Sequence, residues 1–330
     1  MKPGVAIVGC GLIGAKRAQA LAGAPLVICA DPDRARAERL AATVPGAEAS
    51  ADWREAVRHP RARIVIVATT NDSLSPVALE AVKAGKHVLV EKPAARRASE
   101  IGPLGEAARA ARVKVRVGFN HRYHPALLKT QALVKEGALG ELMFLRGRYG
   151  HGGRIGYDKE WRADPARSGG GELIDQGVHL IDFARLLLGE FEHVQGYAHT
   201  FYWDMPVDDN AFLLLRTREQ RTAFLHVSCS EWKNLFSLEI YGRAGKLQVD
   251  GLGGSYGLEK LTHYRMLPQM GPPETESWEY PGGDRSWALE FEEFLEDIRL
   301  DREPAAGLAD AGKALEIVEK IYQGSGYDHR

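Results

Sequence analysis

The segment Gly9-Cys10-Gly11-Leu12-Ile13-Gly14 lies between the apolar run Val5–Val8 and a helical stretch, Ile13–Ala22, and it constrains this chain more than any other feature. In a G-x-G-x-x-G turn the first glycine permits the tight bend, the second lets the backbone approach a pyrophosphate, and the third lets the helix pack on the strand. The helix that follows offers unpaired N–H groups and positive potential to an anion. An acidic residue, Asp31, closes the next apolar run, Leu26–Ala30, where a dinucleotide fold places the acceptor for the ribose hydroxyls. Strand, turn, helix and acid together predict a dinucleotide site with Gly9, Gly11, Leu12, Ile13, Gly14 and Asp31 as its residues. Asp31 repels a 2′-phosphate, so NAD is expected over NADP. Arg34 is the neighbour able to swing toward such a phosphate, although a solvated charge on the first turn of a helix explains it too.

The rest of the first 120 residues repeats the rhythm. Apolar runs at Val5–Val8, Leu26–Ala30, Ile64–Ala68, His87–Val90 and Lys114–Gly118 alternate with helical patterns at Ile13–Ala22, Arg34–Thr43, Pro76–Ala84 and Ser99–Ala111. Strands this continuous are covered on both faces, which predicts a doubly wound parallel sheet. Thr69, Thr70 and Asn71 follow a strand at the sheet edge where ligands of this fold bind, and they are candidate cofactor contacts as well as candidate helix caps.

Beyond residue 120 the pattern changes to successive strand-like runs, Leu142–Arg148, Ala211–Arg216, Ala223–Ser228, Ser237–Tyr241 and Lys246–Val249, joined by turns as short as Gly242–Gly245. This predicts an open, largely antiparallel sheet, closed by the helices Trp287–Leu300 and Leu308–Tyr322, with the most loop-like stretch at Leu267–Glu276. A length of 330 residues implies about two domains, and the change of rhythm puts the boundary at 120/121. The expectation is a cofactor-binding domain over 1–120 and a substrate-binding and oligomerisation domain over 121–330.

Composition narrows the partners. Lys plus Arg number 43 against 44 for Asp plus Glu, which leaves no positive excess for nucleic acid or an anionic membrane. No run approaches the length of a membrane span, and the N-terminal apolar run lacks the form of a signal peptide. Cys10, Cys29 and Cys229 are odd in number and widely spaced, so they read as small buried residues in a reducing, cytoplasmic setting. No His or Cys spacing suggests a metal.

Three segments carry a wider resemblance. These are Gly9–Gly14, Gly85-Lys86-His87-Val88-Leu89-Val90-Glu91-Lys92-Pro93, and Gly169-Gly170-Gly171-Glu172-Leu173-Ile174-Asp175-Gln176-Gly177-Val178-His179-Leu180-Ile181-Asp182. In this order and spacing the chain resembles the glucose-fructose oxidoreductase and inositol dehydrogenase (Gfo/Idh/MocA) family over essentially its whole length. The resemblance implies a Rossmann domain, a C-terminal open-sheet domain that often forms an oligomer interface, and sugar, sugar-derivative or cyclitol substrates. It assigns Lys92 to the family's E-K-P lysine, Asp175 and His179 to its D-x-G-x-H pair, and implies a cis Lys-Pro bond. Ser75 departs from the histidine found in many members. The stretches Gly150–Trp161 and Gly251–Gly257 look like a subgroup associated with cell-surface polysaccharide sugars, so a nucleotide-linked sugar is among the candidates.

The chemistry of the residues agrees. A lysine at the end of a buried strand, partly desolvated, donates or accepts a proton as hydride arrives or leaves, and Glu91 and Lys92 stand at the cofactor's edge of the sheet. Asp175 and His179 share one face of an expected amphipathic helix, His179 suited to proton exchange and Asp175 to orienting it or a substrate hydroxyl. Gly169–Gly171 either expose N–H groups or form a flexible loop. Arg122, Tyr157 and Trp161, among the polar and aromatic residues Tyr123, His151 and Arg162, suit sugar hydroxyls and faces. The expected activity is NAD-dependent oxidoreduction at a hydroxyl-bearing carbon by a homodimer or homotetramer. The alternatives are a glycosidase or dehydratase that uses transient oxidation, and a non-catalytic NAD-binding regulator.

Overall fold

A computed structural model describes residues 2–327; Met1 and residues 328–330, which the expected domain limits include, lie outside the described residues. The chain divides into two compact units. The first holds the chain up to Phe119 together with Ala166–Gly169 and Trp287–Leu315. The second holds Asn120–Pro165, Gly170–Ser286 and the chain from Glu316 on.

The first unit is a parallel sheet of strands β1 (Gly4–Val8), β2 (Leu26–Ala30), β3 (Glu48–Ser50), β4 (Ala62–Val67), β5 (His87–Glu91) and β6 (Val115–Gly118), in the order 3-2-1-4-5-6. The expected strands form with ends shifted by a residue or two, as hydrophobic runs alone locate ends poorly. Strand β3 was not expected. Its sequence Glu-Ala-Ser has no apolar run, and its pairing with Ile28–Ala30 makes it a strand. The helix expected from Pro76 begins earlier, at Asn71, and carries Pro76 within it.

The segment Trp287–Leu315 belongs to this unit, whereas a single boundary at 120/121 would place it in the second. The physical reason is burial: Phe291 and Phe294 of the helix Ser286–Arg299 are 1% and 0% exposed in one core with Ile7, Leu26, Ile64 and Leu89. Buried ion pairs join the same helix to the helix Leu12–Gln19 through Arg17 and Glu290, at 2.6 Å, and to β6 through Arg116 and Asp297.

The second unit is an eight-stranded sheet of β7 (Leu142–Gly150), β8 (Phe191–His199), β9 (Asn210–Thr217), β10 (Thr222–Ser228), β11 (Leu235–Gly242), β12 (Gly245–Asp250), β13 (Glu259–Arg265) and β14 (Glu274–Tyr280), in the order 14-13-12-11-7-10-9-8. All neighbours are antiparallel except β7 and β10. Strands β8, β13 and β14 were not expected; β14 reads Glu-Thr-Glu-Ser-Trp-Glu-Tyr and overlaps the stretch read as loop. An edge strand this charged lacks the apolar alternation that reveals inner strands. Along β9 burial alternates: Leu213 and Leu215 are sealed, while Phe212 and Leu214 are exposed, as are Phe224 of β10 and Tyr197 of β8. The helix Val178–Leu188 lies on the inner face over β7 and β10, where an added Cβ on Gly147 would stand 3.4 Å from Leu180.

Candidate functional site

In the first unit the glycine turn behaves as its spacing implies. Gly9 has φ +94°, and a Cβ on it would lie 2.3 Å from the Ala68 carbonyl oxygen, so only glycine makes this bend. A Cβ on Gly14 would lie 1.9 Å from the Gly9 carbonyl oxygen, which is how closely helix and strand approach. Over Gly11, by contrast, nothing lies within 4 Å of that position. The helix Leu12–Gln19 begins at Gly11 with no side-chain cap, and the Leu12 side chain is exposed. Open space above the second glycine and an uncapped helix start fit a bound pyrophosphate.

Asp31 is buried at the end of β2. Its Oδ2 accepts the Cys10 N–H at 2.8 Å and its Oδ1 the Asp33 N–H at 2.9 Å. Each oxygen keeps a lone pair for a ribose hydroxyl. Arg34 is turned along its own helix and pairs with Glu38 at 2.8 Å, both side chains exposed. The residues after β4 divide: Thr69 and Thr70 are half-buried, whereas the Asn71 amide donates to the Ser168 carbonyl at 2.8 Å. Ser75 is buried and donates to the Glu100 carbonyl at 3.3 Å.

Glu91, expected at the cofactor, has its side chain turned to an ion pair. Its carboxylate is buried against Arg17, with Oε1 at 2.6 Å, and Arg17 also holds Glu290 while stacking on the Trp287 ring at 4.5 Å. Burial raises Glu290 above the usual carboxylate range in spite of the Arg17 charge. Lys92 follows directly, half-buried, with a cis peptide bond to Pro93.

In the second unit Asp175 lies in a π-helical turn, Leu173–Gly177, that runs into the α-helix Val178–Leu188 carrying His179. The expected single amphipathic helix is therefore interrupted at its start, a feature that recurs at functional sites. Asp175 is buried and accepts from Arg162 Nε at 2.9 Å; the nearby carboxylate raises the guanidinium still further, and Trp161 stacks on Arg162 at 4.7 Å. His179 is buried, its ring stacked on His121 at 3.8 Å and 11°. Burial alone would lower the His151 imidazole, but its bond to Glu172 and the Glu172 and Asp175 charges raise it overall.

Two residues expected at the substrate have buried protein partners. Arg122 is buried in a two-point ion pair with Asp182, at 2.7 Å and 2.5 Å. Tyr157 is buried in a small core with Ala163, Met205, Val207 and Cys229. Trp161 stays half-buried beside Arg162. The N–H groups of Gly171 and Leu173 are taken by the Asp208 carboxylate, which fixes the last glycine of the run.

Comparison with known proteins places this geometry. A family model described as "Oxidoreductase family, NAD-binding Rossmann fold" matches residues 4–119, and one described as "GFO/IDH/MocA C-terminal domain" matches residues 127–248. The scyllo-inositol 2-dehydrogenase (NAD(+)) of Bacillus subtilis is 30% identical over 331 residues, covering 94% of this chain and 91% of that protein. The chain belongs to the Gfo/Idh/MocA oxidoreductase family. Levoglucosan dehydrogenase of Pseudarthrobacter phenanthrenivorans is 30% identical over 224 residues, 62% of this chain and 55% of that relative, so the match spans little more than half its length. A solved levoglucosan dehydrogenase, in complex with NADH and levoglucosan, shares the fold with a TM-score of 0.88, at 22% identity over 99% of this chain and 98% of that one.

Within this NAD-binding oxidoreductase fold, several residues escaped the sequence reading. Arg17 left a signal, since it shares the inward face of its helix with Gly14 and Leu21 and a charge there needs a buried partner. His121 stood in a polar cluster, Asn120–His124, just after a buried strand. Asp208 and Tyr322 left none, because their partners are remote in sequence.

Proposed function

We propose that this protein is an NAD-dependent dehydrogenase that moves a hydride to or from a hydroxyl-bearing carbon of a sugar, sugar derivative or cyclitol. The observation that carries the reading is the glycine turn, open over Gly11 and flanked by a held Asp31, in a chain whose other unit buries Asp175 against Arg162. The names of the inositol and levoglucosan relatives support a ring polyol as substrate.

Bound NAD supplies the hydride acceptor, and NADH the donor in reverse. Backbone N–H groups at the start of the helix Leu12–Gln19 hold the pyrophosphate, and Asp31 accepts from the adenosine ribose, favouring NAD over NADP. Thr69 and Thr70 contact the same cofactor. Lys92 takes the hydroxyl proton as the carbonyl forms and returns it in reduction. His179 exchanges that proton, its ring kept in orientation by the His121 stack, and Asp175, fixed by Arg162, accepts from a substrate hydroxyl. Trp161 offers a face to the ring. The exposed apolar face of the second sheet pairs with a second copy to give a dimer, and dimers pair to a tetramer.

A thermal-shift screen of polyols with NAD present tests the reading, because ligands of the folded state raise its melting temperature. Hits are then assayed for net NADH formation. Stabilisation and turnover by at least one sugar or cyclitol are expected. Bond cleavage without net NADH would turn the reading to a glycosidase or dehydratase, and binding without turnover would turn it to a regulator.

A further inference from the structure

Asp208 is fully buried in the second unit, and its carboxylate faces the turn that leads into Asp175. Its Oδ1 accepts from the Gly171 N–H at 2.9 Å and from the Tyr322 hydroxyl at 2.6 Å, and its Oδ2 accepts from the Leu173 N–H at 2.8 Å. The Glu172 N–H donates to the Asp208 carbonyl at 2.9 Å, so consecutive amides of the turn all end on one residue. The Tyr322 hydroxyl also accepts from the Gly171 N–H, at 3.1 Å. The fit excludes any side chain: a Cβ on Gly171 would lie 1.9 Å from the Asp208 carbonyl oxygen, and one on Gly170 would lie 2.2 Å from the Tyr322 hydroxyl. The held residues lead directly into the π-helical turn Leu173–Gly177, which carries Asp175.

We propose that Asp208 and Tyr322 are positioning residues of this enzyme, which fix the turn Gly171–Leu173 and through it the placement of the Asp175 carboxylate. This rests on the role proposed above for Asp175. Neither residue touches the reacting atoms. A carboxylate satisfies several N–H donors at once in a way a neutral acceptor does not, and charge-assisted bonds of this kind are about twice as strong as neutral ones.

The arrangement carries a pH dependence. Burial pushes the Asp208 carboxyl up to about 6, opposed by the Tyr322 hydroxyl and the Leu173 and Gly171 N–H groups and reinforced by the Glu172 charge. Tyr322, Tyr327 and Cys229 face it, each raised first by burial and further by the Asp208 charge, and Asp209 is its chain neighbour. A protonated Asp208 is a weaker acceptor, so the turn loosens as pH falls through this value. Because the folded-state value stands above the ordinary 3.8, the folded state takes the proton first, and this group adds stability as pH falls. Through this one group acid therefore costs turnover without costing stability.

Hydrogen exchange of the peptide spanning residues 169–176, in the full chain with NAD, tests this for the wild type, Asp208→Asn and the milder Tyr322→Phe. The protection factor, taken against the intrinsic exchange rate at each pH, is expected to fall roughly tenfold in both variants, and in the wild type on lowering the pH to about 5. With a turned-over polyol, kcat is expected to fall about tenfold while KM for NAD stays unchanged; Asp208→Asn flattens the acid limb and Tyr322→Phe shifts it to higher pH. Unchanged exchange in both variants overturns the proposal, as does faster exchange with wild-type kcat and pH profile. If the wild type turns over no polyol, the exchange result still decides the anchoring, and the dehydrogenase reading is what fails.

Discussion

In the six-stranded sheet β1 has no exposed apolar position from Val5 to Ile7, whereas in the eight-stranded sheet β9 alternates sealed Leu213 and Leu215 with open Phe212 and Leu214. The first pattern follows from helices on both faces, the second from a sheet with one covered face. The same contrast governs the functional groups. In the first unit the residues proposed to hold the cofactor stand at successive strand ends, so short segments contain them. In the second, Asp175 depends on Arg162 from a preceding loop, on Asp208 from a strand start and on Tyr322 from the last helix. Local chain order builds one half, and long-range packing builds the other.

The largest effect that tests this contrast is on turnover. Lys92→Met and His179→Ala should each cut kcat by about 10²–10⁴-fold, with NAD affinity nearly intact. The double variant should lose far less than the product, since groups acting on one proton are non-additive. Steady-state kinetics on a hit from the screen checks this, and near-normal turnover by folded Lys92→Met would remove Lys92 from the chemistry.

Next in size is Arg17→Met, which leaves the buried Glu91 and Glu290 carboxylates without their shared cation. Loss of one partner of a buried ion pair costs about 3–5 kcal/mol. Urea unfolding should show it, with Glu290→Gln far milder because Arg17 and Glu91 still pair. Burial already holds Glu290 above the ordinary carboxylate value, and without Arg17 that value rises further. The folded state then takes the proton first, so part of the deficit should be regained as pH falls. A deficit that does not shrink in acid would mean the loss is one of packing.

Asp31→Ala should weaken NADH binding by about 1.5–3 kcal/mol, the range for hydrogen bonds to a charged group, and narrow the preference over NADPH. Arg34→Ala should change little, because Arg34 pairs with Glu38 along its own helix. Fluorescence titration separates the two, and wild-type NADPH binding tighter than NADH would reverse the reading of this pocket. The smallest effect on the stability of the single chain belongs to the exposed sheet face: compared at a concentration where both proteins are monomeric, Leu214→Lys with Phe224→Lys should shift unfolding by within about 0.5 kcal/mol for each surface change. The same pair should convert the oligomer to monomer in sedimentation. A wild-type monomer at micromolar concentration would break this part of the comparison.

Apolar continuity in β1, β2 and β4, the glycine spacing at 9, 11 and 14, and the inner-face alternation of β9 to β12 are local properties, and the chain alone therefore determined the two sheet types, the dinucleotide turn and the place of Asp31. Membership of the family was carried by three short segments for the same reason, since each is a turn, a strand end or the start of a helix whose residues must be contiguous. Tertiary structure decided the rest. It made β3 and β14 strands by pairing, although neither has an apolar run of its own. It returned the helix with Phe291 and Phe294 to the first unit, because only a core shared with Ile7 and Leu89 buries both rings. It also gave Glu91 and Arg122 their buried ion-pair partners, since a buried charge must find an opposite charge and the partners chosen, Arg17 and Asp182, lie 74 and 60 residues away in sequence.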